Sequence, residues 1–597
     1  MNLSHIKDRL SFFKALYQEN RDRQSAFYER LERYAAQYKG AKTLDGASED
    51  ASVVRNVTYE LIESQVSTQI PAPAVEARYY TAKADRCAKM IERLCASQRR
   101  DLPFEYLNDM DERYTYIYGG SVWFAEWDES LERAERHGGV KLHCLSPMDF
   151  VPEAGIYRIE DMEYCFLRFE TTKNDVARRF DVPLSLLENE SAAEGDSPDS
   201  VELIVCFWRD EEGHVAEFAF AGDTVLCDLE DFYARKVHKC EKCGATRMLC
   251  SCPDPVFTLR SEEEEVLRED VLLEDGTVIP ALSPDGKGKL HPTRLPFYRP
   301  SRFPIVIRKN TSEEKALFGQ SDCEFIRPQQ QQINKIESRI LQKLMRSGIT
   351  PILPDDAELT LDNSIFGQVI RLRAGDERER YGVLDTTPSI EQDVMQSDRL
   401  YDHAKRILGI TDSYLGMADS TAVSGYAKKV QVEQAAGRLE SKRKMKQTAY
   451  AELDRILFEY HLAYADEPRP LSYRDAFGQR RGAHFNRYAF LYYNEREGGY
   501  RYDDDFLFSV DLGGGVEQQR EELWKKNLEN LEAGTLGDIS DPATLLHYWQ
   551  CQERAHYPYA RENVEYFRVI TEKGVTHGGS SGAMEEGIPR KKEAPLV

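Results

Sequence analysis

The stretch "FGQSDCEFIRPQQQQINKIESRILQKLMRSG", residues 318–348, predicts a helix that begins near Pro328 and ends near Gly348. Proline suits the first turn of a helix, because the N–H that it lacks would have no partner there. Apolar side chains then recur at helical spacing, which places them on one face. They are Ile333, Ile336, Ile340, Leu341 and Leu344. The sequence therefore predicts an amphipathic helix.

The segment after this helix has an unusual order of elements. A compact β-like unit over 349–388 comes first, and a shorter helix over 389–408 follows it. A loop rich in small and hydroxyl residues then leads through Gly425 into a helix of nearly forty residues. The apolar side chains that face one way are Ile390, Val394, Tyr401, Ala404 and Leu408 in the shorter helix, and Ala449, Leu453, Ile456, Leu457 and Tyr460 in the long one. The first half of the long helix is basic.

The rest of the chain predicts an α+β fold. Helical patterns in the N-terminal part cover 5–38, 53–69 and 82–116. Alternating apolar and polar residues then predict strands, and strand patterns return after Pro468. The strand patterns before residue 317 cover 118–130, 138–153, 162–170 and 201–210. Helices are expected at about 517–531 and 541–570, and the last residues lack the apolar content to fold.

Size and charge exclude several classes of protein. The chain has 597 residues, of which 41% are hydrophobic, which is enough for roughly four modules. A formal charge of −24 argues against a protein that coats DNA, because phosphate binding needs a basic face. No stretch approaches the ~18 apolar residues of a membrane span, and the N-terminus has no signal-peptide core. We expect a protein that is intracellular or assembled inside a cell, with no membrane partner.

Four of the twelve cysteines crowd into "CEKCGATRMLCSC", residues 240–252. The spacing Cys240-x2-Cys243-x6-Cys250-x-Cys252 predicts a structural zinc site, because four thiolates close a tetrahedral shell. The second pair is tighter than usual, so His238 or Cys227 can replace one of these ligands. Such a site leaves no open coordination position and would staple a small insertion. The other eight cysteines are expected to be reduced, many of them packed as small hydrophobes.

Motifs of common enzymes are missing from the sequence, which predicts a protein that is not an enzyme. It contains no GxxxxGK[ST] phosphate loop, no HExxH and no GxSxG. Acid clusters at 355–356 and 503–505 can in principle bind Mg²⁺ for a nuclease. Adjacent carboxylates in polar turns are usually solvated, and we interpret these clusters and 262–265 in that way.

The order of elements from 317 to 465 resembles the portal proteins (head–tail connectors) of tailed bacteriophages. The carrying residues are "FGQSDCEFIRPQQQQINKIESRILQKLM", "ITPIL" and "GVLDTTP", "SIEQDVMQSDRLYDHAKRILGI", and "DSTAVSGYAKKVQVEQAAGRLESKRKMKQTAYAELDRIL". Upstream, "YELIESQVSTQIPAPAVEAR", "YGGSVWFAEWD" and "LSPMDFVPEAGIYRIEDMEYCFLRF" look like the portal wing. The resemblance covers about residues 54–530, and the cysteine cluster departs from it, since many portals lack one.

This resemblance implies a division of the chain into portal regions that form a ring oligomer. It implies a mixed wing domain, a helical stem, a small α/β clip, a long helix behind a tunnel loop, and a helical crown. The expected boundaries are 1–316 for the N-terminal region and wing with a cysteine-rich insertion at about 228–260, 317–348 for the first stem helix, 349–388 for the clip, 389–409 for the second stem helix, 410–426 for the tunnel loop, 427–465 for the long helix, 466–516 for returning wing strands, 517–572 for the crown and 573–597 for a disordered tail.

The resemblance also implies a function. Portals form a ring, commonly a dodecamer, at one capsid vertex, through which genomic DNA is packaged and ejected. The expected partners are further copies of the chain, double-stranded DNA in transit, the terminase large subunit, the major capsid and scaffolding proteins, and a head–tail adaptor. The expected location is the virion, after assembly in the host bacterial cytoplasm. Expected tunnel-loop or DNA-facing residues are Ser420, Thr421, Ser424, Gly425, Lys428 and Lys429.

Ring formation has its own prediction from the sequence. Ile333, Ile340, Ile365 and Val369 are expected to be exposed in a lone subunit and covered by a neighbour. Two alternatives remain open. A metal-dependent DNA-processing enzyme would explain the acid clusters, and a zinc-stapled scaffold or adaptor would explain the cysteines. Lys428 and Lys429 either contact phosphates or simply begin a soluble helix.

Overall fold

Five helices lie in the described residues before Gly119, and side-chain caps explain where three of them begin. Asp8, Asn56 and Thr81 each accept a hydrogen bond from a backbone N–H in the first turn of the helix that follows. The helices are α1 (Arg9–Arg23), α2 (Ser25–Tyr38), α3 (Val57–Glu63), α4 (Ala82–Asp101) and α5 (Phe104–Tyr118). The predicted helices at 5–38 and 82–116 are therefore each two helices, the second pair interrupted at Leu102 and Pro103. The one predicted at 53–69 is shorter than expected.

The computed structural model describes most but not all of the chain. The described residues are 8–42, 53–79, 81–133, 136–180, 182–187, 199–244, 250–261, 264–267, 270–272, 278–284, 289–346, 349–354, 370–372, 382–385, 389–410, 425–474, 480–494, 496, 499–511, 515–554 and scattered positions between 557 and 571. Within them, those of 1–471 and 484–511 form one compact unit, and those of 472–483 and 512–597 form another.

A five-stranded antiparallel sheet lies at the centre of the first unit, in the order β4-β5-β6-β7-β8. Both of its faces are buried. Phe13 and Tyr17 of α1 cover one face, and the other packs toward a second sheet, β17-β2-β3, and a long helix. The strands are β2 (Gly120–Arg133), β3 (Arg136–Leu145), β4 (Phe150–Pro152), β5 (Tyr164–Thr172), β6 (Ser200–Arg209), β7 (Val215–Ala221), β8 (Thr224–Leu229) and β17 (Ile305–Lys309). Another helix, α6, spans Lys173–Phe180.

Short strand pairs form the insertion between β8 and β17. Four two-stranded antiparallel sheets are made by β9 with β10, β11 with β16, β12 with β13, and β14 with β15. Their bounds are β9 (Lys236–Cys240), β10 (Phe257–Ser261), β11 (Glu264–Val266), β12 (Val271–Leu272), β13 (Val278–Ile279), β14 (Leu282–Pro284), β15 (Leu290–Pro292) and β16 (Arg294–Pro296). Leu267, Val271, Ile279 and Leu295 of this region form a small core together with Tyr488 and Leu491 from later in the chain.

The helix that the sequence predicted to begin near Pro328 begins earlier, within the range 317–348 expected for the first stem helix. It is α7 (Asp322–Arg346), so Pro328 lies inside the helix and not in its first turn. Ser321 determines this start, because its Oγ accepts a hydrogen bond from the N–H of Cys323 at 3.0 Å. The missing N–H of Pro328 leaves the carbonyl of Glu324 without its helical partner, and both residues lie on the exposed side where water can reach.

The next elements follow the predicted order. Strands β18 (Ile349–Pro354), β19 (Ile370–Leu372) and β20 (Gly382–Asp385) form one sheet in the order β19-β18-β20. Helix α8 (Glu391–Leu408) follows, and α9 (Gly425–Tyr464) is forty residues long. Gly425 is therefore the first residue of the helix, whereas the sequence predicted that it belongs to the loop. Of the residues between α8 and α9, 411–424 lie outside the described residues.

Strands and then helices follow α9 in the described residues. Strand β1 (Ala72–Ala77) pairs with β25 (Phe506–Asp511), which brings the N-terminal region and the chain beyond α9 together. The others are β21 (Arg469–Arg474), β22 (Arg480–Phe485), β23 (Leu491–Asn494) and β24 (Gly499–Tyr502). Helices α10 (Gly515–Glu532) and α11 (Pro542–Arg554) belong to the second unit. The protein is thus a mixed α+β protein, and none of the described helices has the length and apolarity needed to span a membrane.

Candidate metal centre and helix joint

The cysteine cluster is built on the end of the β9–β10 hairpin. Cys240 is the last residue of β9 and lies opposite Phe257, the first residue of β10. Next to this pair, the N–H of Glu241 donates to the carbonyl of Val256 at 2.8 Å. The chain then turns back on itself at Gly244, whose φ is +68° and whose N–H donates to the carbonyl of Cys240 at 2.6 Å. This turn brings Cys243 back over Cys240.

The four cysteine sulfurs lie within 4.8 Å of one another, in positions where they can hold a metal ion. Cys243 Sγ and Cys250 Sγ are 3.6 Å apart. Sulfurs around a tetrahedral ion with metal–sulfur bonds of about 2.3 Å are roughly 3.8 Å apart, whereas a disulfide joins them at about 2.05 Å. All four are free thiols, and Lys242 holds their loop closed by donating to the carbonyls of Pro253 and Asp254, each at 2.9 Å.

The environment of the cluster favours deprotonation of the Cys240 thiol before the Cys252 thiol. Burial raises the pKa of the Cys240 thiol, but hydrogen bonds from the backbone N–H groups of Cys243 and Lys242 and from neighbouring thiols outweigh burial and bring the pKa to about 7. A hydrogen bond with Cys243 and then burial raise the pKa of Cys252 to about 12. A metal ion binds thiolates, so it would take the place of the protons that the sulfurs share.

Of the alternative ligands that the sequence offered, Cys227 lies in another sheet, and the backbone of His238 lies on the strand that ends at Cys240. Cys227 lies on β8 opposite Ala219, in the five-stranded sheet. His238 lies on β9 opposite Leu259. The structure therefore brings together the four cysteines of the original motif. Of the other eight, Cys227 and Cys551 are half-buried and the remaining six are buried, and none forms a disulfide.

The described members of the acid clusters include residues with separate structural contacts. Asp504 accepts a hydrogen bond from the hydroxyl of Tyr298 at 2.8 Å, and Asp505 pairs with Arg78 at 2.6 Å. The prediction that residues 262–265 form a solvated face is wrong for Glu265. This side chain is 2% exposed and pairs with the buried Arg487 at 2.8 Å. The pair Asp355–Asp356 lies outside the described residues, as do Glu262 and Glu263.

The predicted tunnel-loop residues are only partly within the described structure. Ser420, Thr421 and Ser424 lie outside it. Lys428 and Lys429 belong to the first turns of α9, in backbone positions that immediately follow Gly425. The structure thus places these lysines on the helix that leaves the loop, as the sequence indicated, and describes their backbone alone.

Sequence reasoning missed a buried ion network that joins α9 to the body. It consists of Asp111, Glu112, Arg308, Asp322, Lys442 and Lys446, and we call it the helix joint. Lys442 Nζ donates to Asp322 at 2.7 Å and to Gln65 at 3.0 Å. Lys446 Nζ lies 2.9 Å from Glu112 and donates to the carbonyl of Gln69 at 2.8 Å. The sequence does carry a signal, because these lysines extend the apolar stripe of α9 backward at helical spacing.

Charges balance within the helix joint. Three carboxylates face three cations, and Arg308 completes the set by pairing with Asp111 at 2.5 Å and Glu112 at 2.8 Å. Burial raises the pKa of Glu112, but Arg308 and Lys446 outweigh burial and leave the pKa below its usual value. Burial lowers the pKa of Lys446 in spite of Glu112. Removing one partner from an ion network of this kind is strongly destabilising, because the opposite charge then stays buried without a partner.

Helices α7 and α8 form an antiparallel pair. Ser397 donates to Glu337 at 2.7 Å, and Lys343, further along α7, pairs with Asp393, nearer the start of α8. Ile333 and Ile340 are 0% and 9% exposed and pack in one cluster with Leu400 of the same chain. They are not exposed in a single subunit, so this part of the prediction about ring contacts was wrong. Ile365 and Val369 lie outside the described residues.

A scan against protein-family models and a search of curated proteins found no match to this chain.

Proposed function

We propose that this chain is a portal-type subunit. In this proposal, copies of the chain form a ring, commonly of twelve, at one vertex of a phage capsid, and double-stranded DNA passes through the ring during packaging and ejection. The protein works by assembly and by guiding DNA, without catalysis. Terminase, capsid and scaffolding proteins and a head–tail adaptor are its proposed partners in the virion.

The observation that supports this proposal most is the order and pairing of α7, β18–β20, α8 and α9. An antiparallel helix pair is joined through a segment that contains a small sheet, and a forty-residue helix comes after the next loop. A portal needs such parts, because the helix pair serves as the stem, the small sheet as the clip, and the long helix as the support of a loop on the channel axis.

The helix joint adds a mechanical argument. Lys442 and Lys446 attach α9 to Asp322 at the start of α7 and to Glu112 of α5. The same joint therefore links the first stem helix, the long helix and the wing. A channel through which DNA is driven needs its loop-bearing helix held in a defined direction, and a buried network of paired charges supplies that directional constraint.

Apolar side chains at one end of the helix pair give the proposed ring a contact surface. Leu344 and Met345 at the end of α7 are 48% and 75% exposed, and Val394 and Met395 at the start of α8 are 40% and 71% exposed. We call these four residues the end patch. Large apolar side chains grouped in this way on a soluble protein favour a partner surface, and a head-to-tail contact repeated between copies closes into a ring.

We also propose that zinc is the ion held by Cys240, Cys243, Cys250 and Cys252. Four thiolates at tetrahedral separations suit zinc, and a closed four-sulfur shell gives it a structural role. Metal analysis of the purified chain should then find about one zinc ion per chain. The cluster also fits a second function, that of a zinc-stapled adaptor protein, which would need no ring.

The mass of the purified protein separates these functions. Twelve copies of a 68.7 kDa chain give a particle of about 820 kDa by light scattering. Electron micrographs of the same sample should show rings with a central channel. A compact monomer or a two-fold dimer at micromolar concentration would contradict the portal proposal and would favour the adaptor.

A further inference from the structure

The thiols of this protein differ in how far solvent can reach them. The cysteines buried outside the cluster are Cys87, Cys95, Cys144, Cys165, Cys206 and Cys323. Within the cluster, Cys240 is 1% exposed, whereas Cys243, Cys250 and Cys252 are all half-exposed. A small oxidant can therefore reach three cluster sulfurs that lie close together. Outside the cluster it can reach only Cys227 and Cys551, which are half-buried and lie apart.

Within the cluster, the sulfurs of Cys243 and Cys250 are in contact at 3.6 Å. An approach of about 1.5 Å would bring these two sulfurs to the length of a disulfide. Cys240 is less free to take part, because its backbone is fixed by β9 and by the turn at Gly244. Cys250 and Cys252 are separated by one residue, and a disulfide between them would need a strained backbone.

We infer that Cys243 and Cys250 form an oxidation-sensitive pair, which closes to a disulfide when a peroxide reaches the cluster and releases the bound ion. This inference rests on the zinc site proposed above and is independent of ring assembly. The pair would make the end of the β9–β10 hairpin respond to the oxidant in its surroundings.

The chemistry balances with a peroxide as the only added reactant. The Cys243 thiolate attacks one peroxide oxygen, so that an S–O bond forms, the O–O bond breaks, and the leaving hydroxide takes up a proton to become water. The Cys250 thiolate then attacks Cys243 Sγ, so that the S–S bond forms, the S–O bond breaks, and a second hydroxide leaves and is protonated. The two sulfurs lose two electrons in total, and the peroxide gains them.

Loss of two thiolates removes half of the ligand set. Cys240 and Cys252 remain, and two thiolates do not complete the four-ligand shell of a structural zinc ion. A bound zinc ion would then leave as Zn²⁺, without any change in its own oxidation state. Reduction of the disulfide restores the four thiols, so added zinc can bind again.

The test uses the full chain, isolated under reducing conditions and freed of excess reductant. Metal analysis comes first, and the protein is then treated with increasing amounts of hydrogen peroxide in the presence of a chromogenic zinc chelator. Peptide mass analysis locates each disulfide. We expect one zinc ion released for each Cys243–Cys250 disulfide formed, and recovery of the ion after treatment with dithiothreitol and zinc.

A matched control is Cys551→Ser, which removes a half-buried thiol outside the cluster. This variant should release zinc at the same peroxide concentration as the unmodified chain. Zinc that stays bound while the cluster resists oxidation would overturn the inference, and so would release that accompanies a disulfide between other cysteines. A chain that contains no zinc before peroxide is added would overturn the metal site itself, which distinguishes the two failures.

Discussion

A single carboxylate on α9, that of Asp454, shows how burial alters the chemistry of a side chain. Asp454 is 1% exposed, and its Oδ2 accepts a hydrogen bond from Arg99 at 2.5 Å. Its Oδ1 has no hydrogen-bond partner among the described residues. Burial raises the pKa of Asp454 to about 6, because the nearby Arg99 offsets only part of the cost of removing the charge from water.

The pKa of Asp454 leads to a prediction about stability and pH. The folded protein binds this proton more tightly than the unfolded chain, whose aspartates have a pKa near 3.8. The contribution to stability is therefore complete below about pH 4 and is lost as the pH rises through 6, by at most about 3 kcal/mol. In Asp454→Asn this part of the pH dependence should vanish, as measured by urea unfolding at several pH values.

The control for this measurement is Asp223→Asn, whose side chain is 94% exposed. Its unfolding free energy should follow the same pH dependence as that of the unmodified chain. An Asp454→Asn variant that keeps the full decline between pH 4 and 7 would show that another group causes it.

At the scale of elements, the lysines of α9 differ in their burial and therefore in their role. Lys442 is 8% exposed and Lys446 is 3% exposed, whereas Lys444 between them faces solvent. The buried pair lies on the face that continues through Tyr450 and Leu453 into the main core. The helix is thus held by apolar packing along its second half and by paired charges at its middle.

Removing one member of the helix joint should therefore lower the free energy of unfolding much more than removing an exposed lysine does. Lys442→Ala leaves Asp322 buried without its cation, and we expect a loss of about 3–5 kcal/mol in the free energy of unfolding. Lys444→Ala, on the same helix, should change it by less than about 0.5 kcal/mol. The measurement is chemical denaturation of both variants.

A double substitution tests whether the effect belongs to the pair. Lys442→Ala with Asp322→Ala should cost less than the sum of the two single substitutions, because no charge is then left alone. Strictly additive losses would mean that Lys442 stabilises α9 through its packing and not through Asp322.

At the scale of the whole molecule, assembly depends on the end patch in our proposal. A charge placed in a covered apolar contact has to be desolvated, so Met345→Asp with Met395→Asp should shift the protein from rings toward single chains. Both side chains are largely exposed in one chain, so its fold and unfolding transition should be retained. Light scattering and circular dichroism provide the two measurements.

Leu186→Asp is the control, because this side chain is 52% exposed and lies away from the helix pair. It should leave the ring population unchanged. Rings that survive both charges in the end patch would place the subunit contact elsewhere.

The tunnel-loop prediction also belongs to the whole assembly. If Lys428 and Lys429 contact DNA phosphates, replacing both with glutamine should reduce the DNA packaged or retained per capsid. The reduction should be larger at low salt than at high salt, because phosphate contacts are screened by ions. Unchanged packaging and retention in assembled particles would mean that the lysines only begin the helix, where cations are slightly unfavourable for the dipole.

The sequence by itself determined the local features of this protein. Periodicity identified the two shorter helices, the intervening β unit and the forty-residue helix, because this signal depends on neighbours within a few residues. The spacing of Cys240, Cys243, Cys250 and Cys252 identified the cluster for the same reason. The ends of the helices were predicted less accurately than their existence. Pro328 was wrongly taken for a helix start, because the cap at Ser321 was not recognised.

Only the tertiary structure decided which partner covers each face. Periodicity showed that Ile333 and Ile340 lie on a covered face, but α8 of the same chain covers them and not a neighbouring subunit. Glu265 was interpreted as part of a solvated face and Lys442 only as part of a basic stretch. Both are buried against partners more than a hundred residues away in sequence, Arg487 and Asp322. Burial of a charge depends on such distant partners, since the cost of desolvation is offset only where the fold brings an opposite charge within hydrogen-bond distance.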